Sequence, residues 1–383
     1  MRSACSRSRR FPTRPWWRRS SRPSGRSRSA ARHRPPFAPP WQRRAARFRS
    51  GDLMTLGVFF DGFSSTAEML EVAAAAEEAG AASLWFAQHM GYRDALVWAA
   101  LAAGATRRVT LVPTAITPYL WPPLPVAMSM ATLSEAAGGR VALAVSIGNL
   151  LNLDQSGVEP VRPVRVIRDY VETLRALQAG ETVRHEGVVH TLRGAAMRFA
   201  EQDSYPLYVA STGPQMLGLA GEIGDGVLLS AGLTLASCRR CIDHAEAGAR
   251  KAGRDPAAVR KAAFINVAVS EDGASARAAM LRKLAFLFRS RGHADNIASS
   301  GLDIDHQAII DHLSRHDLDA ATRLLPDAAA QAFAVAGTPA ECRDRLAEYL
   351  AIGLDEPIIE VTGSREERTL ALDLIRQLAK EGA

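Results

Sequence analysis

Long apolar runs are missing from this 383-residue chain. No stretch reaches about 18 uninterrupted apolar residues, so no membrane-spanning helix is expected. Cysteine is scarce as well. Four residues are too few for a disulfide framework, and Cys238 and Cys241 form a C-x-x-C with no second pair. That pair falls in an amphipathic helical stretch rather than in a strand-to-helix loop. A redox or zinc role is therefore not expected, surface positions on a helix are, and a reducing cytoplasm fits. Acidic residues are nearly absent from the first 53 positions, which hold sixteen Arg and one Asp, a net of +15. Removing them from the totals of 47 basic and 40 acidic residues leaves 31 and 39, so the remainder carries −8 despite an overall +7.

Residues 1–53 are rich in Arg, Ser and Pro and show no apolar periodicity. Such a segment cannot bury a core and is expected to be disordered. Arg9-Arg10 is followed by no apolar h-region, so export is not expected. Charge alone would suit a nucleic-acid-binding arm. The preferred expectation is that Met54, directly before the first apolar run, is the natural start, and that the Arg-rich segment is an upstream extension of the reading frame without a role. A native chain that contains residues 1–53 by mass spectrometry would refute it.

What the rest contains is alternation. The stretch from Pro206 to Ser230 shows its unit: an apolar run at Leu207–Ala210, a break at Ser211-Thr212-Gly213-Pro214, then Met216, Leu219, Ala220 and Ile223 at helical spacing. Gly224 stops the helix, and Val227-Leu228-Leu229 forms a second apolar run, giving strand, loop, helix, strand. The loop belongs at the carboxyl end of its strand, where α/β folds bind ligands. Ser211 or Thr212 can cap the helix, and Pro214 suits its first turn. The same hydroxyls, with free amides at a helix start, also suit an anion such as a phosphate.

The alternation runs from Met54 onward. Strands are predicted at 56–60, 83–87, 109–113, 141–145, 207–210, 227–229, 262–268 and 357–361. Helices are predicted at 67–79, 94–103, 123–137, 164–179, 216–223, 235–252, 274–288, 341–350 and 366–379, with a surface hairpin near Val188–Thr191. Eight strands alternating with helices over about 330 residues predict one (β/α)8 TIM barrel, residues 54–383. Residues 290–335 form an insertion between strands seven and eight, with helical patterns at 307–314 and 320–325, of the kind that shapes a substrate pocket. His312 and His316 are four apart, but no Glu or Cys stands at a recognised spacing, so no metal site is expected and exposed histidines are.

These pieces resemble a known family. Ala-Ser-Thr-Gly-Pro-Gln-Met-Leu-Gly-Leu-Ala-Gly-Glu-Ile-Gly-Asp-Gly-Val-Leu-Leu, residues 210–229, resembles the fifth-strand to sixth-strand signature of luciferase-like oxidoreductases. The branch it is most similar to uses the deazaflavin coenzyme F420 and includes methylenetetrahydromethanopterin reductase. Leu-Trp-Phe-Ala-Gln-His89 resembles the family's second strand, residues 113–118 its third-strand end, and residues 337–346 and 356–362 its last helix and strand. The resemblance implies a tricyclic cofactor in the barrel mouth, with its phosphate-bearing tail at Ser211, Thr212 and Gly213. It implies a non-proline cis peptide backing the ring at Ala115–Ile116, a bond that the sequence alone would read as an ordinary trans strand end. His89, with Gln88 before it, matches a histidine beside the reactive ring, although a hydrogen-bonded structural His is the plainer reading of the position. Gly148-Asn-Leu-Leu-Asn152 resembles a Gly-Glu-x-x-Asn motif: Asn152 keeps the ring-contacting amide, while Asn149 replaces the acid thought to donate a proton. Asn does not titrate, so glucose 6-phosphate is not the expected substrate. Asp225 and Gly226 also match, and read as a tight helix-to-strand turn.

The implied activity is hydride transfer between F420 and a small organic substrate, in a homodimer. The first alternative is a monooxygenase using reduced FMN, dioxygen and a partner reductase. A cofactor-free barrel acting on a phosphorylated metabolite is another.

Overall fold

The computed structural model describes residues 55–199 and 204–381. The Arg-rich segment expected to be disordered lies outside them. In chain order the elements are β1 (Gly57–Phe60), α1 (Thr66–Ala79), β2 (Ser83–Ala87), α2 (Ala95–Ala105), β3 (Thr110–Thr114), α3 (Pro123–Ala137), β4 (Leu143–Val145), α4 (Leu150–Gln155) and α5 (Pro163–Gln178). There follow β5 (Val183–Glu186), β6 (Thr191–Ala195), β7 (Leu207–Ala210), α6 (Pro214–Ile223), β8 (Gly226–Leu229), α7 (Leu235–Lys251), β9 (Arg260–Ile265), β10 (Val267–Val269) and α8 (Gly273–Leu287). The chain then runs through α9 (Ala294–Ala298), α10 (His306–Ser314), α11 (Leu318–Arg323), α12 (Ala328–Phe333), β11 (Val335–Gly337), α13 (Pro339–Ala351), β12 (Glu356–Glu360) and α14 (Arg365–Glu381). Among the described residues no helix is long and apolar enough to cross a membrane.

Local chemistry sets these boundaries. Ser65 caps α1 by accepting from the Glu68 amide, and Gly80 ends it in the left-handed region at φ 99°. Met69, Val72, Ala73 and Ala76 recur at helical spacing and are buried against the strands. Eight parallel strands pair in the order β3-β2-β1-β12-β9-β8-β7-β4, and bridges Leu111↔Val141 and Ile116↔Val145 join β3 to β4. The sheet thus closes into a barrel with helices outside, the (β/α)8 fold expected.

Inside the barrel, Trp85 stands edge-on to Tyr208 and Phe264, with ring centroids 5.2 and 6.2 Å apart, among Val112, Leu228 and Ile358. Below them lies a polar floor. The buried Glu356 carboxylate accepts from Ser83 and from Arg260, whose Nε is 2.8 Å away, and Trp85 Nε1 donates to Ser83 Oγ at 2.6 Å. Gly57 belongs to this layer because a Cβ there would lie 2.8 Å from Ser83 Oγ and 2.9 Å from Trp85 Nε1.

Three expectations are corrected. The run 262–268 is not one strand: it breaks at Asn266, whose carbonyl accepts from Val335, and Val267–Val269 leaves the barrel to pair with β11. The hairpin strands are β5 and β6, so Val188 and its neighbours form the turn between them. Cys238 and Cys241 lie in α7 but are buried, 1 % and 7 % exposed, because α7 packs closely on α6. Burial pushes their thiols up to about 12 and about 11, so they are poor nucleophiles. The 290–335 insertion folds into α9 to α12 around its own core of Phe288, Ile297, Ile309 and Phe333. Within it His316 is exposed and His312 stands beside Asp317.

Candidate active site at the barrel mouth

Three strands deliver side chains to one corner of the carboxyl end. His89 follows β2, Asp61 follows β1, and Glu360 ends β12. His89 Nδ1 lies 2.8 Å from the main-chain oxygen of Asp61. A carbonyl can only accept, so Nδ1 carries the hydrogen and Nε2 of the neutral ring keeps its lone pair. The Asp61 carboxylate accepts from the Phe63 amide at 2.8 Å. Burial raises its pKa above the ordinary Asp value; the Phe63 hydrogen bond opposes this, and the Glu360 charge reinforces it. Glu360 is ion-paired with Lys283 of α8. Beside this pair opens a cavity of about 160 Å³, lined in part by Val267, Met280, Thr362 and Glu367. On the other flank the Phe63 and Tyr92 rings pack at a 46° tilt with centroids 4.4 Å apart, more than half exposed, with Phe63 5.7 Å from the His89 ring.

The opposite rim is built from β3, β4 and β7. A non-proline cis peptide joins Thr114 to Ala115. The Thr114 hydroxyl is buried and has no partner. Asn149 caps α4, its Oδ1 accepting from Leu151 N at 2.9 Å, and Asn152 lies half-buried one turn on. After β7, Ser211 Oγ accepts from Gly213 N at 3.0 Å. Gly213 is the N-cap of α6, and Thr212, Gly213, Pro214 and Gln215 are exposed. The amides of Gln215 and Met216 open the helix, and an α-helix offers its first amides no internal acceptor.

The profile of the luciferase-like monooxygenase family matches residues 46–356. The chain belongs to the luciferase-like monooxygenase family. It is 30% identical over 323 residues to a 5,10-methylenetetrahydromethanopterin reductase of Methanolobus tindarius, covering 83% of this chain and 98% of that one. It is 27% identical over 333 residues to an F420-dependent glucose-6-phosphate dehydrogenase of Mycolicibacterium gilvum, covering 82% and 95%. The fold superposes on the coenzyme F420-dependent tetrahydromethanopterin reductase of Methanopyrus kandleri with a TM-score of 0.76 at 22% identity, over 86% of this chain and 99% of that one.

In this luciferase-like chain the cis bond falls one residue earlier than the expected Ala115–Ile116. Ile116 has already rejoined the ladder, donating to Ala144 and accepting from Ser146. Strand alternation sets the side chains accordingly: Ala115 packs with the barrel interior, and Ile116 is fully buried between barrel and helices, away from the mouth. Gln88 also departs from expectation. Its amide accepts from Ala95 and donates to Asp94, so both ends are engaged at the start of α2. Neither Ser211 nor Thr212 caps α6 with its side chain; Gly213 takes that position, and Ser211 braces the Gly213 amide instead. At the carboxyl end of the barrel His89, Ala115, Ser211, Thr212 and Gly213 follow their strands, and Asn152 lies in α4. The sequence reading did not single out Asp61, Glu360 or Lys283, which the structure places in one corner. Strand alternation was the available signal for the two carboxylates, since Asp61 stands two residues after Phe59 and Glu360 two after Ile358, both on the interior face.

The donor set suits an anionic ring cofactor. An unpartnered buried hydroxyl lies at the third-strand end, and open amides lie at an exposed helix start. Gly213 leaves that approach open, because a Cβ there would meet only Ser211 Oγ, at 3.8 Å.

Proposed function

We propose that the protein is an F420-dependent oxidoreductase that moves a hydride to or from a small organic substrate. The observation that carries this reading is the exposed start of α6, at the same carboxyl end of the barrel as His89. F420 would supply the two-electron chemistry when bound. The Gln215 and Met216 amides, with Ser211 and Thr212, would hold its phosphate. Ala115 would back the ring and Asn152 would reach it with its amide. His89, held by the Asp61 carbonyl, would present Nε2 to the reacting substrate. With Asn at 149 engaged in capping, the substrate is not expected to be glucose 6-phosphate.

Titrating purified protein with F420 and with FMN, followed by tryptophan fluorescence, tests the assignment. F420 is expected to bind more tightly; tighter FMN binding would favour a reduced-flavin monooxygenase instead. Gly213→Asp places a negative charge on the phosphate approach and is expected to weaken F420 about tenfold or more. The melting temperature should stay unchanged because the position is exposed.

The same reading includes a homodimer. Helix α2 has no charged residue, and its outward Val97, Ala100, Leu101 and Gly104 are apolar or small, beside the exposed Met128 of α3. A helix that is apolar on every face is normally covered, and a second copy of this chain would cover it.

A further inference from the structure

Hydride transfer from a carbon bearing an O–H or N–H also releases a proton, and the barrel mouth must receive it. Asn149 cannot, since it does not titrate and its side chain caps α4. His89, with Nδ1 committed to the Asp61 carbonyl, offers Nε2 as a hydrogen-bond acceptor that orients the substrate O–H or N–H and leaves a carboxylate beside it to take the proton onward. One carboxyl in this corner is partly buried, adjacent to His89 and free of any ion pair closer than 4 Å: Asp61. Its sequence neighbours are held in place, because Arg93 donates to the carbonyls of Gly62 at 3.2 Å and Phe63 at 2.8 Å.

We propose that Asp61 is the acid–base group of the mouth, taking the substrate proton as the hydride leaves and returning it in the reverse direction. The Glu360–Lys283 pair is the positioning charge that tunes it. The assignment rests on the hydride-transfer reading above. In the oxidation direction the substrate C–H bond would break and its electron pair would leave as hydride, for which F420 would supply the two-electron acceptor. The O–H or N–H bond breaks, its proton passes to the Asp61 carboxylate, and its electrons form the new C=O or C=N bond. The substrate is oxidised and the cofactor reduced.

The surroundings make this group suitable. Burial and the Glu360 charge raise its pKa, while the Phe63 amide, His89 and Lys283 oppose the rise. Glu360 is ion-paired with Lys283, whereas the Asp61 carboxylate has the Phe63 amide as its hydrogen-bond partner. Arg93 contributes positive charge from the β2 loop, and Asp94 is occupied capping α2.

The test uses the full chain. Carbon-13 carboxyl NMR of the cofactor-free protein, assigned by difference from Asp61→Asn, is expected to show Asp61 titrating above the usual value of about 4. Glu360→Gln should move that titration to lower pH, and Lys283→Met should move it higher. With F420 bound, Asp61→Asn should lower kcat about 100-fold or more and erase one limb of the pH profile, while F420 affinity stays within about threefold. An ordinary Asp61 titration, or kcat within threefold in Asp61→Asn, overturns the assignment alone. Failure of the wild-type chain to bind F420 overturns the functional reading and the Asp61 assignment with it, an outcome distinct from loss of the assignment alone.

Discussion

At the residue scale, the mouth combines groups that a motif can reveal with groups that only the sheet can. His89, Ser211 and Gly213 could be singled out as candidates because each sits inside a short pattern with neighbours that carry the signal. Asp61 and Glu360 were not, because they lie some 300 positions apart and meet only through the pairing of β1 with β12. Histidines differ in the same way. His293 looks like any insertion histidine in the sequence, yet burial, with the nearby charges of His306 and Arg289, pulls its pKa down to about 4. Folding therefore favours its neutral form. The stability this contributes is complete above pH 6.5 and is lost as the pH falls through that value toward 4. Thermal melts at pH 7 and pH 5 should show a loss of about 1–2 kcal/mol that His293→Leu abolishes; equal loss in both proteins would refute it.

Elements were read more reliably than sites, because a strand or helix needs only periodicity. The barrel strands before β9, the helix Pro123–Ala137 and the stop at Gly80 follow directly from apolar spacing and a left-handed glycine. Where the reading failed, tertiary pairing overrode local pattern. The seventh strand is continuous in composition but divided between two sheets at Asn266. Helix α4 escaped notice because Leu150 and Leu151 are exposed on it, 60 % and 59 %, against the rule that apolar residues mark a buried face. The contact between α6 and α7 was also invisible. A Cβ on Gly221 would overlap the Ala245 carbonyl, and one on Gly248 would overlap the carbonyl of Gly218. Gly221→Ala should therefore cost about 3 kcal/mol, read as a fall of roughly 6–12 °C in melting temperature, despite the better helix propensity of Ala. An unchanged melt would show that the helices separate freely.

At the scale of the whole molecule, composition was legible in its broad division: an Arg-rich segment, then an acidic remainder that forms the barrel. The face that would meet a second copy was less so, because α2 reads as one more buried helix until the barrel shows which side faces outward. Val97→Glu combined with Leu101→Lys keeps a favourable i,i+4 pair on that helix while charging its outer face. Size-exclusion chromatography with light scattering should find a dimer in the wild type and a monomer in the double variant. A wild-type monomer would refute this. The polar floor has a further consequence. With Glu356, Arg260 and Trp85 filling the amino end of the barrel among the described residues, the cofactor and the substrate of the proposed reaction would both enter from the carboxyl end. Two guests that share one doorway must take turns, the deeper seat filling first and emptying last, so steady-state kinetics should follow a compulsory order.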